Sequence, residues 1–137
     1  MGEGGNVSGD VDAGDDAAVI CQRSACGITL DPERHDLLCA WISHLPQMIS
    51  TVLTSVLHEE LGDDEVVMQI GGRALREMTR IGHSPYSMWR DIALTNSDNL
   101  EEVILRFEQQ MTHLRDNLRE PGLRELFESA NKFGEKQ

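Results

Sequence analysis

The chain has 137 residues, enough for one domain with a core of its own but short for a two-domain enzyme. Its 24 Asp and Glu against 12 Lys and Arg leave a formal net charge of -12, which argues against nucleic acid and anionic membrane surfaces as partners, because phosphates are held by clustered cations. Cys21, Cys26 and Cys39 are odd in number and lack C-x-x-C spacing, so they suggest neither a disulfide framework nor a zinc knuckle and read as reduced, structural thiols.

Residues 1–17 are Gly-rich and acidic, with Glu3, Asp10, Asp12, Asp15 and Asp16 and no basic residue, and they read as a disordered tail. There is no basic n-region followed by an apolar stretch, and no run approaching the roughly 20 apolar residues of a membrane span is apparent. A soluble, unexported, cytoplasmic protein is expected. Ala18-Val19-Ile20-Cys21 and Ile28-Thr29-Leu30 are short apolar runs, either a strand remnant or an extended lead-in.

From Asp31 the pattern turns helical, with Asp31 as N-cap and Pro32 at the first helical position. Apolar residues from Leu37 to Leu57 then recur at steps of three and four and cover much of the circumference, as in a helix at the centre of a bundle or an interface. Pro46 interrupts this helix and should bend it. Gly62-Asp63-Asp64 breaks the helix and caps a second one, expected from Glu65 to Ile81. Ser84 and Pro85 are expected to cap and open a short helix through Trp89 to Leu94. Asn96 or Ser97 caps a fourth, whose apolar stripe runs from Leu100 to Leu118, and Pro121 begins a last amphipathic helix. The fold class is all-α, about five helices around a long bent central helix, with the domain spanning residues 18–133 and a short tail at 134–137.

Arg73, Arg76 and Arg80 share one helix face, a local positive patch in an acidic chain. Two readings are open: pairing within the molecule, for example with Glu77, or a bidentate clamp on a ligand carboxylate. His35-Asp36 has the look of a metal-hydrolase pair but lacks the further His and Asp such a site needs. His44 is a polar ring on an otherwise apolar helix and requires a partner. Trp41 and Trp89 read as core or interface residues.

Taken in order, Asp31-Pro32-Glu33-Arg34-His35-Asp36, Ser43-His44-Leu45-Pro46, Thr79-Arg80-Ile81, Trp89-Arg90-Asp91-Ile92 and Asn96 resemble the C-terminal helical domain of prephenate dehydrogenases, over about Ser24 to Phe133. The resemblance implies a helical domain of the 6-phosphogluconate dehydrogenase C-terminal-like kind that forms a homodimer and completes a pocket for prephenate or arogenate. NAD or NADP would bind a Rossmann domain that also holds the catalytic histidine. By resemblance Arg80 holds substrate, Gln47, Trp89, Asp36 and His44 line or tether the site, and Glu77, Thr79 and His35 support it. None of these residues is implied to be catalytic, to bind cofactor or to hold a metal. Gln47 stands where the family usually has a second histidine, and Glu77 where it favours aspartate; glutamine can exchange hydrogen bonds but cannot carry histidine's proton. No Gly-rich strand–turn–helix is present. The expectation is therefore a dimerisation and substrate-pocket domain, as a fragment, a relic or a subunit of a split enzyme with a separate Rossmann partner. The alternative is a stand-alone aromatic-acid-binding or structural dimer module.

Overall fold

The computed structural model describes residues 19–22, 27–119 and 121–136. The acidic stretch 1–17 and Cys26 lie outside them. The chain forms two compact units, Met1–His35 and Asp36–Gln137. In the first, β1 (Val19–Gln22) and β2 (Gly27–Leu30) pair antiparallel, with Val19 opposite Leu30 and Gln22 opposite Gly27, so the apolar runs are strands. Asp31 follows as expected: its Oδ1 accepts from the Arg34 backbone N–H at 2.9 Å, satisfying one of the donors that a helix start leaves open.

Helices and the short turns between them account for the rest of the described residues: α1 (Pro32–Cys39), α2 (Leu45–Leu61), α3 (Glu65–Ile70), α4 (Arg73–Gly82), α5 (Tyr86–Thr95), α6 (Ser97–Asp116) and α7 (Gly122–Gly134). The expected all-α class holds, with two changes of detail. Ala40–His44 is a π-helical turn, closed by the Leu45 N–H on the Ala40 carbonyl. Pro46 explains it: proline has no N–H to offer and its ring crowds the carbonyl four residues back, and widening the preceding turn relieves that clash without breaking the helix. The expected bend is thus an inserted wide turn, and Pro32–Leu61 continues as 30 helical residues.

That rod corrects the expectation that no segment could span a membrane. By length and composition it is long and apolar enough to do so. The reason is that no Asp, Glu, Lys or Arg lies between Asp36 and Glu59, although Ser43, His44, Gln47 and Ser50 interrupt every apolar run. Here α2 packs instead on α4 and α6 and buries Gln47 and Ser50.

The second change is that the expected helix from Glu65 to Ile81 is two. Gly71 and Gly72 separate α3 from α4, each glycine being about 1 kcal/mol poorer than alanine inside a helix. A Cβ on Gly71 would collide with Leu75 Cδ2 and lie 2.8 Å from the Val67 carbonyl, so this tight turn requires glycine. Asp64 caps α3 through the Val66 N–H at 2.9 Å, and Gly62, with φ of 56°, ends α2 in the left-handed region.

The core sits where the π-turn and the start of α2 meet α6. Ala40, Leu45, Leu100 and Val103 are buried there, with Met48, Ile49, Ala93, Ile104 and Phe107 packed around them. The apolar stripe expected from Leu100 to Leu118 is buried at the start of α6, and Met111, together with Leu118 beyond the end of that helix, is exposed. Along α2 the same division appears across its faces: Val52, Leu53 and Val56 are exposed while Gln47 and Ser50 are covered.

α2 and α4 pack closely at Gly82. A Cβ on Gly82 would fall 2.6 Å from Thr54 Oγ1 and 2.7 Å from the Ser50 carbonyl, so only glycine lets the end of α4 rest on the α2 backbone. Helix propensity alone favours Gly82→Ala by about 1 kcal/mol. Overpacking opposes it by about 1–3 kcal/mol, and we expect the substitution to lower the urea midpoint; a raised midpoint would refute the close contact.

Candidate functional site

Two groups of polar side chains converge on the start of α2. The first joins α2 to the end of α4. Gln47 is buried, and its Nε2 donates to the Ile81 carbonyl at 2.8 Å and to Thr51 Oγ1 at 3.3 Å. Ser84 Oγ donates to the same Ile81 carbonyl at 3.0 Å. Helix ends leave carbonyls without partners, and here two side chains supply them. Ser84 therefore closes α4 and does not cap α5; Pro85 holds the N-cap position of α5, without a side-chain bond. Ser50, almost wholly buried, adds a weak Oγ contact to Met78 Sδ at 3.8 Å.

This docking presents the last turn of α4. Thr79 turns its hydroxyl back to the Leu75 carbonyl at 2.9 Å. Arg80 is exposed and sets its fork on Glu77, with Nη2 at 2.8 Å and Nε at 3.2 Å from the same carboxylate oxygen. Both side chains are more than half exposed, at 70% and 52%, and an exposed pair of this kind contributes only about 0–1 kcal/mol. The pairing reading holds in this conformation. A weak intrahelical partner is also one that a ligand carboxylate with better geometry can replace.

The second group surrounds the π-turn. His44 is half-buried, and its ring meets Trp89 of α5 edge to face, centroids 6.0 Å apart at 83°. Asn96, buried at the start of α6, donates from Nδ2 to the Asp36 carbonyl at 2.8 Å and lies 3.3 Å from His44 Nδ1. Its Oδ1 accepts from Asn99 Nδ2 at 2.8 Å. Asn96 occupies the N-cap position of α6 as expected, but its side chain is spent on tertiary partners and not on a helix N–H. Trp89 Nε1 is buried without a hydrogen-bond partner, the one such side-chain atom among the described residues. A buried indole N–H left unpaired costs about 1–3 kcal/mol.

The residues expected at the site thus divide. Gln47, Thr79, Glu77 and Arg80 belong to the α2–α4 end; His44, Trp89 and the backbone of Asp36 belong to the π-turn group. His44 and Gln47, three residues apart on one helix, link the two. His35 lies in the first compact unit, where its N–H bonds the Asp31 carbonyl at 3.0 Å. Sequence reasoning missed the roles of Ser50 and Gly82, and it read Asn96 as a cap and a member of the family motifs without its tertiary partners.

Comparison with known proteins places this geometry in a family. The family model for the prephenate dehydrogenase dimerization domain matches residues 31–131. The prephenate dehydrogenase of Bacillus subtilis is 27% identical over 100 residues, 73% of this chain and 27% of that protein. The cyclohexadienyl dehydrogenase of Zymomonas mobilis is 30% identical over 87 residues, 63% of this chain and 30% of that protein. Among solved structures, the arogenate dehydrogenase of Synechocystis superposes with a TM-score of 0.68 at 27% identity, covering 78% of this chain and 40% of that one. The prephenate dehydrogenase of A. aeolicus, solved with hydroxyphenyl propionate and NAD+, gives a TM-score of 0.64 at 30% identity, covering 78% and 37%. The chain thus spans under a third of the length of these curated relatives.

Because Gln47 holds the end of α4 in place, Gln47→Leu should strip the Ile81 carbonyl of a buried donor and cost about 1–3 kcal/mol in chemical denaturation. Gln47→His, which can still donate, should recover most of that loss. Equal stability of all three proteins would refute the bond.

Proposed function

This chain belongs to the prephenate dehydrogenase dimerization-domain family, and from that membership we propose that it is the dimerisation and substrate-pocket domain of a prephenate or arogenate dehydrogenase of tyrosine biosynthesis. Prephenate carries two carboxylates and loses one as carbon dioxide while its ring becomes aromatic and a hydride passes to the nicotinamide. In this reading the hydride step belongs to a Rossmann domain with NAD or NADP. The strands described here are one antiparallel hairpin, with no Gly-rich strand–turn–helix to cradle a pyrophosphate, so no step through the cofactor is assigned to these residues.

What this chain contributes is binding and shape. The observation that carries the reading is the Arg80 fork, exposed at the end of a docked helix and paired, among the described residues, with Glu77. A substrate carboxylate takes that fork, and Glu77 swings away. Trp89 supplies a desolvated ring and an unpaired N–H beside His44. The acidic composition fits a cytoplasmic enzyme.

The exposed apolar side chains support a homodimer. Trp41, Ile42, Val52, Leu53 and Val56 are exposed along one rod, and exposed apolar side chains gathered in this way mark interaction surfaces. Dimerisation would cover this surface and take the long helix out of contact with any other apolar phase.

Three outcomes are expected. In calorimetry with prephenate, Arg80→Ala weakens binding tenfold or more, whereas Glu77→Gln, which removes the internal competitor, strengthens it up to about fivefold, the range of an exposed ion pair. Binding unchanged in Arg80→Ala would remove the fork from the site. Trp89→Phe, which removes the indole N–H, loses affinity for the same ligand; unchanged affinity would take Trp89 out of the site. In sedimentation the chain is a dimer at micromolar concentration and Val52→Asp with Val56→Asp yields a monomer; a monomeric wild type would sink the dimer.

A further inference from the structure

The docked end of α4 carries a second side chain able to meet an anion. His83 is the C-cap of α4 and still follows the helix: its N–H bonds the Thr79 carbonyl at 3.0 Å, and its φ is -81°. Residues three apart on a helix are neighbours, with Cβ atoms about 5–6 Å apart, so His83 stands one turn beyond Arg80 on the same face. Helical side chains lean toward the N-terminus, and Arg80 does so, its fork lying back on Glu77. The surface over the turn of Arg80 itself then falls to His83. The backbone between the two is fixed. Gln47 and Ser84 both donate to the Ile81 carbonyl, at 2.8 and 3.0 Å, and Gly82 rests on α2. His83 is exposed, and among the described residues its ring enters no hydrogen bond, ion pair or ring contact.

Electrostatics gives an imidazole a use in that place. The carbonyls at a helix C-terminus carry partial negative charge, which repels an anion and favours a cation. A carboxylate held by Arg80 sits close to that unfavourable end. The two donors on the Ile81 carbonyl offset one of its dipoles, and an imidazole at the cap offers the arriving anion a further N–H, from either neutral tautomer or from the imidazolium. The charged side chains of α4 are Arg73, Arg76 and Arg80 against Glu77, so the helix is positive before His83 is counted.

We propose that His83 is a specificity-determining residue: Arg80 holds one carboxylate and His83 donates to a second, so that the end of α4 selects a dicarboxylate over a monocarboxylate. This rests on the substrate-pocket reading and goes beyond it, since a single arginine fork grips any carboxylate and cannot count them. Three residues of helix rise about 4.5 Å, so the two grips are spaced for two carboxylates on one small acid.

Calorimetry on the full chain with two probes tests it: prephenate, which carries two carboxylates, and hydroxyphenyl propionate, which carries one. His83→Ala, a change at an exposed side chain, should weaken prephenate binding about tenfold, the worth of one charge-assisted hydrogen bond, and hydroxyphenyl propionate binding by less than about twofold. His83→Arg, which keeps a donor and fixes the charge, should bind prephenate at least as tightly as wild type. Arg80→Ala should weaken both probes. Equal effects of His83→Ala on the two probes, or no effect on prephenate, would overturn the proposal and leave the Arg80 pocket standing. Prephenate binding as weak in His83→Arg as in His83→Ala also refutes it, because the lost affinity would then not come from a donated hydrogen bond. A wild-type chain that binds neither probe sinks the pocket reading and the part of His83 in it together.

Discussion

One missing hydrogen shapes this molecule. Pro46 cannot donate to the carbonyl four residues back, and its ring cannot share that space. The chain responds by widening the turn Ala40–His44 while keeping its helical course into α2. A regular helix through this region would rotate every residue upstream of Leu45 by the angle of the inserted residue. Ala40, which packs in the core, and His44, which meets Trp89 and Asn96, hold their places only with the wide turn present. The core and the polar group beside it are therefore consequences of the same backbone irregularity.

From that fixed point, the other polar contacts form in sequence along the rod. Gln47 and Ser50 follow on α2 and receive α4, whose end approaches so closely that Gly82 has no room for a methyl group. A helix with a carbonyl of its final turn bound by a buried amide cannot fray freely, which gives an exposed arginine on that turn a defined origin. Rigidity in the backbone and freedom in the side chain is the arrangement a reversible carboxylate grip needs.

Much of this was legible locally. Asp31 and Asp64 as caps, Gly62 as a terminator and the apolar stripes are short-range features, each set by a residue's own chemistry. The break at Gly71-Gly72 was also written in the sequence, but apolar spacing continues across it from Val67 to Leu75 and hid it. What sequence reasoning could not reach were contacts between distant positions. Gln47 meets Ile81 34 residues away, and Asn96 reaches Asp36 across 60 and His44 across 52. A buried Gln or Asn can satisfy its amide in many ways, and only the assembled packing selects one. Pro46 falls between these cases: its disturbance was predictable, but whether a helix answers with a kink or a wide turn depends on what its neighbours can cover.

The positive face of α4 has a kinetic meaning as well as a geometric one. Arg73, Arg76 and Arg80 sit on a chain whose formal net charge is -12, so a dianion approaching from afar meets repulsion and finds attraction only near the helix. Salt screens the two differently, because the repulsion acts over distances beyond the Debye length of about 8 Å at physiological ionic strength and the arginine contact acts within it. Moderate salt should thus quicken the capture of a dicarboxylate by this domain, the reverse of the steering seen where a binding face and the whole protein carry the same favourable sign.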